Sequence, residues 1–300
     1  MRSIFALLLS SLAVPAFAEV PRVVTDIVPV HSLVAQIMEG AGTPELLLSS
    51  GADPHSFQMR PSQAAAVAEA DLIVWIGPEL TPWLDRALDG LAEAAPQLDL
   101  VHAQGIKLLR FEEPEGHDEE DDHGHSHDGT DPHVWLNVQN AVIWADQIAA
   151  KLAKLDAENA ELYRANATEV QNRLKALDTE LAETLAPFRE RTFVVFHDSL
   201  GYFTDHYGLA SALSVAGGDA ATPGAAHLTE LQAEIVAAGP ICLFPEAQHD
   251  PALLLRVAEG TGAKLGAPLD PEGSFVTPGP TAYEAILRDI TLALTTCLSQ

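Results

Sequence analysis

Three histidines sit in segments that set them apart: His55 in GADPHSF, His133 in DPHVWLN and His197 in TFVVFHDSLGYF. A neutral imidazole is a good ligand for zinc and neighbouring divalent metals, and a carboxylate completes a tetrahedral set with it. Asp270, in GAPLDPEG, is the acid in a matching place. In order, the four positions are 78, 64 and 73 residues apart. Spacing alone leaves open whether they share one ion or cap helices and fill separate polar pockets.

A further four histidines, His117, His123, His125 and His127, lie in the stretch EEPEGHDEEDDHGHSHDGTD at 112–131. The stretch has nothing to bury, so it is expected to be a flexible loop rather than part of a core. His-rich tracts with carboxylates bind metal weakly and adaptably; the plainer alternative is a solvated acidic loop. His31 is expected at a helix start, and His102, His206, His227 and His249 at surface or helix-end positions. Glu246 and Asp219 are spare acids within reach of a cleft, and Trp135 is the expected neighbour of His133.

Signatures of catalysis are missing. No HExxH helix occurs, HDSLG around Ser199 is not a GxSxG nucleophile elbow, and GTGAKLG lacks the GK[ST] ending of a phosphate loop. The enzyme rival is a zinc hydrolase with three protein ligands and a water. It finds no support in these motifs.

The elements that must position these groups alternate in type. Strand-like apolar runs at 22–28, 45–48, 72–76 and 98–101 are separated by helical patterns such as 62–70, and the second half repeats this with runs at 192–196, 210–215, 241–244 and 264–268 and helices at 228–237 and 281–297. Alternation of this kind predicts parallel sheets in two α/β lobes. Ligands in such sheets bind beyond the carboxyl ends of the strands, where His55, His197 and Asp270 fall. Between the lobes, 156–186 carries Leu162, Val170, Leu174, Leu177, Leu181 and Leu185 at helical spacing with neither proline nor glycine. As one helix it spans about 46 Å at about 1.5 Å per residue; a break near Asp178 is the alternative.

Residues 1–18 have the form of a secretory leader, with Arg2, an apolar run and Ala16-Phe17-Ala18 before the expected cleavage. No cysteine near that point offers a lipid anchor, so a soluble periplasmic protein is expected. The formal charge is -27, and removing Arg2 makes it -28. Such a surface repels nucleic acid and anionic lipid and concentrates cations. Cys242 and Cys297 are the only cysteines. In an oxidising compartment the pair reads as a disulfide, closing a 55-residue loop worth about 4 kcal/mol in a chain-entropy account; two thiolate ligands are the weaker alternative.

Taken together, GADPHSF, RPSQ, the acidic His-rich stretch, DPHVWLN, FHDSLGYF and LDPEG resemble the periplasmic zinc-binding component of the high-affinity zinc ABC importer, the ZnuA-type branch of the metal-binding solute receptors. The resemblance covers essentially the whole chain after the leader. It implies two Rossmann-like lobes with four-stranded parallel sheets, a long backbone helix between them, and a metal site in the cleft. It divides the chain into a leader 1–18, a first lobe 19–155, a linking helix 156–187 and a second lobe 188–300. It implies Zn2+ held by His55 and His133 from the first lobe and His197 from the second, with Asp270, water or a loop carboxylate as fourth ligand. Imidazole at position 197, where manganese or iron receptors have glutamate, favours zinc. The Cys242 and Cys297 pair also resembles the second-lobe disulfide of zinc members. Delivery to a membrane permease with its ATPase, by a monomer, is the implied role. A manganese or iron receptor, an adhesin of related architecture, and a free zinc buffer or chaperone are the rivals.

Overall fold

A computed structural model describes residues 20–48, 50–92, 95–111, 129–218, 223–239 and 241–300. The expected leader at 1–18, the tract histidines His117, His123, His125 and His127, and Asp219 lie outside the described residues.

The chain runs β1 (Val23–Thr25), α1 (Val28–Ile37), β2 (Glu45–Leu46), α2 (Pro61–Ala68), β3 (Leu72–Trp75), α3 (Pro82–Leu91), β4 (Gln97–Asp99), α4 (Val138–Leu155) and α5 (Ala160–Leu185). It continues with β5 (Phe193–His197), α6 (Gly201–Tyr207), β6 (Leu213–Ala216), α7 (Ala225–Ala238), β7 (Cys242–Phe244), α8 (Ala252–Ala258), β8 (Lys264–Leu265) and α9 (Ala282–Leu298). Each half forms a four-stranded sheet, in the order β2-β1-β3-β4 and β6-β5-β7-β8, with every pairing parallel. The central strands read VVT, LIVW and FVVFH and are buried throughout, as strands covered by helices on both faces must be.

In both sheets the chain reverses its direction of spread at the centre, between β1 and β3 and between β5 and β7. These switch points are where an open parallel sheet leaves a crevice. In the first sheet the crevice is closed by Asp26, whose carboxylate accepts the Ile27 and Ile76 N–H groups, both at 2.8 Å. In the second it is lined by His197, the last residue of β5, and Glu246, just beyond β7.

Helix α5 is continuous through Asp178, as expected of a single helix, and the alternative break there is absent. Tyr163, Ala167, Val170, Leu174, Leu177, Leu181 and Leu185 bury one face of it at intervals of three and four residues. Its 26 residues span about 39 Å at the usual rise. Helix α9 turns back to pack against α1 and α5. There Ser32 Oγ donates to Pro280 O (3.1 Å), and Tyr283 OH donates to Trp135 O (2.7 Å). The main core therefore runs without interruption from the first sheet through α5 and α9 to Phe193 and Phe244 of the second, with a smaller core on the outer face of that sheet.

Cys242 of β7 and Cys297 of α9 form a disulfide with Cα atoms 6.1 Å apart, which disposes of a thiolate metal site. Observed strands are shorter than the apolar runs: residues 26–28 leave β1 for the crevice and the start of α1. No helix among the described residues is long and apolar enough to cross a membrane.

Candidate metal centre

His55 lies in the loop after β2. Asp53 Oδ1 accepts its backbone N–H at 2.9 Å, and Asp53 Oδ2 accepts the Ser56 hydroxyl at 2.7 Å. Proline between the two residues stiffens this turn, in which an aspartate side chain stands in for a backbone acceptor. Trp83 Nε1 donates to Pro54 O (2.7 Å), pinning the loop to α3. The His55 Nε2 atom is buried and has no hydrogen-bond partner. Burial, reinforced by His133 and His197, lowers its pKa to about 3, so the ring stays neutral.

His133 is built on the same tripeptide. Asp131 Oδ1 accepts its backbone N–H at 2.9 Å and lies 2.7 Å from its Nδ1. A single turn of 3-10 helix (Val134–Leu136) follows, and Asn137 then caps α4 by accepting the Gln139 N–H. His133 is fully buried, and burial with His197 nearby holds its pKa well below the ordinary imidazole range. Trp135 sits 5.2 Å from its ring, as expected, and donates its Nε1–H across the cleft to Pro271 O at 2.8 Å.

His197 comes from the opposite lobe. Its Nδ1 is hydrogen-bonded to the Glu246 carboxylate, and its Nε2 faces His133 Nε2 at 3.2 Å. Burial lowers its pKa, but the Glu246 charge and hydrogen bond, with Asp198 and Asp53, outweigh burial and leave it raised. Burial raises the Asp131 carboxyl to about 7.

Asp131, His133, His197 and Glu246 thus form a chain with three contacts, each of which needs one proton. Two neutral imidazoles supply two protons. The third resides on a carboxyl or makes one ring an imidazolium. A metal ion that takes both Nε2 atoms displaces the proton between them, leaving each Nδ1–H to its own carboxylate. That is the arrangement in which carboxylates orient ligating histidines and raise their basicity.

Among the described residues, ligand atoms of His55, His133, His197 and Glu272 lie within 4.8 Å of one another. The expected fourth residue, Asp270, is not in this group. Its Oδ1 accepts the Ser274 N–H and its Oδ2 the Phe275 N–H, both at 2.8 Å, so the carboxylate is consumed in closing a turn. That turn swings Glu272 into the cleft. Glu272 is fully enclosed, with Oε1 unpartnered and Oε2 hydrogen-bonded by the Gln248 amide. Burial raises its pKa well above the ordinary range, and Glu246, Asp53 and Asp270 add to this.

Within the LDPEG segment, the acid two residues after Asp270 is the one that converges with the histidines. Glu246, expected only as a spare acid, supports His197. His249, expected at the surface, is half-buried and packs its ring on Phe196. The remaining described histidines are apart from the cluster: His102 pairs with Asp99, His206 with Asp178, His227 with Ser214 O, and His31 is carried by α1.

Both lobes grip the cleft. Tyr202 OH donates to Asp131 O at 3.0 Å and accepts the Leu109 N–H at 2.8 Å, while Gly51 N–H reaches Ser274 O at 2.9 Å. The mouth is a cavity of about 260 Å³ lined by His55, Glu79, Phe111, Gly129, Thr130, Pro132 and Gly218. Phe111 N–H donates to Gly129 O at 2.9 Å, so the two ends of the His-rich tract meet at this mouth.

Residues 23–297 match the family described as zinc-uptake complex component A, periplasmic. The high-affinity zinc uptake system protein ZnuA of Paracoccus denitrificans is 45% identical, over 98% of this chain and 97% of its own length. A crystal structure of a ZnuA superposes with a TM-score of 0.77 at 27% identity, covering 92% of this chain and 99% of that one. The periplasmic zinc-binding protein TroA of Treponema pallidum shares the fold, with a TM-score of 0.79 at 20% identity over 93% of this chain and 99% of its own.

Proposed function

We propose, from the premise that this chain belongs to the periplasmic zinc-uptake complex component A family, that its cleft captures Zn2+ on His55, His133, His197 and Glu272. The protein is a periplasmic zinc-binding receptor of an ABC uptake system and not an enzyme. One observation carries the ligand assignment: imidazoles from opposite lobes face each other Nε2 to Nε2 at 3.2 Å, and each has its other nitrogen on a carboxylate. Three imidazoles and one carboxylate suit zinc, whereas manganese favours a harder, oxygen-rich set. Four protein ligands make a closed site, the design for holding an ion rather than activating water.

The ion is cargo, and its uptake joins the lobes. His133 and His55 belong to the first lobe and His197 to the second, so the bound ion replaces a proton as the link between them. Release then requires the lobes to part, with the permease drawing them open. The protein acts as a monomer after removal of residues 1–18. The tract at 112–131 feeds the cleft through the mouth where its ends meet. Competitive zinc titration against a chromophoric chelator tests the site. The mature chain is expected to bind one ion tightly, and His197→Ala to lose on the order of a thousandfold or more, since loss of a mere supporting group costs about 10- to 100-fold. Unchanged affinity in His197→Ala would remove the cleft from consideration.

A further inference from the structure

The turn after β7 carries a second group of ligating side chains beside the cleft. We propose that His197, Glu246 and His249 form a second divalent-metal position inside the second lobe, filled in alternation with the cleft site. Glu246 Oε1 and His249 Nε2 are 3.9 Å apart. Both atoms are buried, and neither has a hydrogen-bond partner. One ligand atom from each of His197, Glu246 and His249 falls within 4.8 Å of the others. Zinc binds nitrogen and oxygen at about 2.0–2.2 Å, so two donors on one ion stand at most about 4.3 Å apart and the observed pair is within reach.

The donors are held in place for this. The His249 ring stacks on Phe196 with centroids 4.5 Å apart and planes 20° from parallel, and the His249 backbone N–H donates to Glu246 O at 3.3 Å. The Glu246 side chain is 4% exposed, and its unpaired oxygen is costly where it lies. A cation on Glu246 Oε1 and His249 Nε2 satisfies both orphaned atoms at once. At 17% side-chain exposure, His249 opens the position to solvent. Two nitrogens and a carboxylate suit zinc and its neighbours rather than calcium or magnesium.

Alternation follows from the chemistry of one ring. A neutral imidazole has a single lone pair. An ion on His197 Nδ1 leaves Nε2 bearing the hydrogen, which donates across 3.2 Å to His133 Nε2. An ion on Nε2 leaves Nδ1–H for Glu246. His197 therefore serves one position at a time, and the second-lobe position fills while the first-lobe ligands are not engaged.

This inference shares with the cleft reading the ion and the His197 ring, and the two fail separately. Zinc-edge anomalous diffraction is measured on crystals of the mature chain and of His55→Ala/His133→Gln, both soaked in zinc. Wild type is expected to show the cleft peak; its absence counts against the cleft reading. The double variant is expected to show a peak within about 2.5 Å of His249 Nε2 and a Glu246 oxygen, lost on adding His249→Ala. A peak on His197 Nε2 and Glu272 alone, or none, overturns the second position. If the double variant does not fold, His55→Ala carries the test: peaks at both positions with occupancies summing to about one support alternation, and a cleft peak alone refutes it. In the otherwise intact chain, His249→Ala is expected to change cleft affinity less than about threefold. A loss beyond about tenfold makes His249 part of the cleft site and ends the proposal.

Discussion

The tripeptide Asp-Pro-His occurs twice, at 53–55 and 131–133, and the two copies end in different places. In both, the aspartate accepts the histidine N–H at 2.9 Å, so the backbone turn is the same. In the first copy the other carboxylate oxygen takes the Ser56 hydroxyl, and the His55 ring is left without a hydrogen-bond partner at Nε2. In the second, Asp131 also holds the ring at Nδ1, 2.7 Å away, and the whole group is buried. The same local chemistry thus yields one imidazole oriented only by its loop and one oriented by a carboxylate. Orientation of the ring is the part that surroundings decide.

Substituting the two histidines should separate these roles most widely. His133→Ala is expected to weaken zinc binding on the order of a thousandfold or more, and His55→Ala by roughly 10- to 100-fold, because the second keeps the oriented His133–His197 pair. Equal losses by competitive titration would erase the distinction. Next come the aspartates. Asp131→Asn should cost about 10- to 100-fold, as losses of groups that orient metal-bound histidines do. Asp53→Asn keeps an acceptor for the turn and should cost only a few-fold. A reversed order would show that the loop, not the ring contact, governs affinity.

The pH response sharpens the same contrast. His55, lowered to about 3, and His133, held well below the ordinary range, are already neutral, so neither has to give up an imidazolium charge of its own. The proton shared along Asp131, His133, His197 and Glu246 must leave, and His197 is raised and Asp131 pushed to about 7, so both favour its retention as pH falls. Affinity should therefore drop about tenfold per unit from pH 7 to 5, with roughly one proton released per ion in calorimetry across buffers of different ionisation enthalpy. A flat response would place the ion elsewhere. The smallest effect is expected from deleting 112–129: the tight site changes by less than about threefold while weaker additional binding disappears. Loss of the tight site would make the tract the main source of ligands.

Much of the frame was legible in advance. Continuous apolar runs such as LIVW and FVVFH have no solvent face, so they read as buried parallel strands, and α5 shows its buried stripe at three- and four-residue spacing. The three histidines whose ligand atoms the structure brings together had been singled out by their motifs and by the family those motifs resemble. That Asp270 closes the turn while Glu272 reaches the histidines was not legible, because two carboxylates two residues apart carry no sequence mark showing which one takes which place. Glu246 was legible only as a spare acid near a cleft and His249 only as a surface or helix-end residue, since their contacts with His197 and Phe196 depend on the strand beside them.

By itself the amino-acid sequence determined which segments become strands and helices, the two Asp-Pro-His turns and the charge that draws cations, because these follow from neighbours a few residues apart. Only the tertiary structure decided that His133 and His197, 64 residues apart in the chain, meet Nε2 to Nε2, that Glu272 and not Asp270 joins them, and that His249 is left facing an unpaired carboxylate oxygen. Those outcomes depend on how two lobes close over a shared core, and burial is what gives each proton and each lone pair there its consequence.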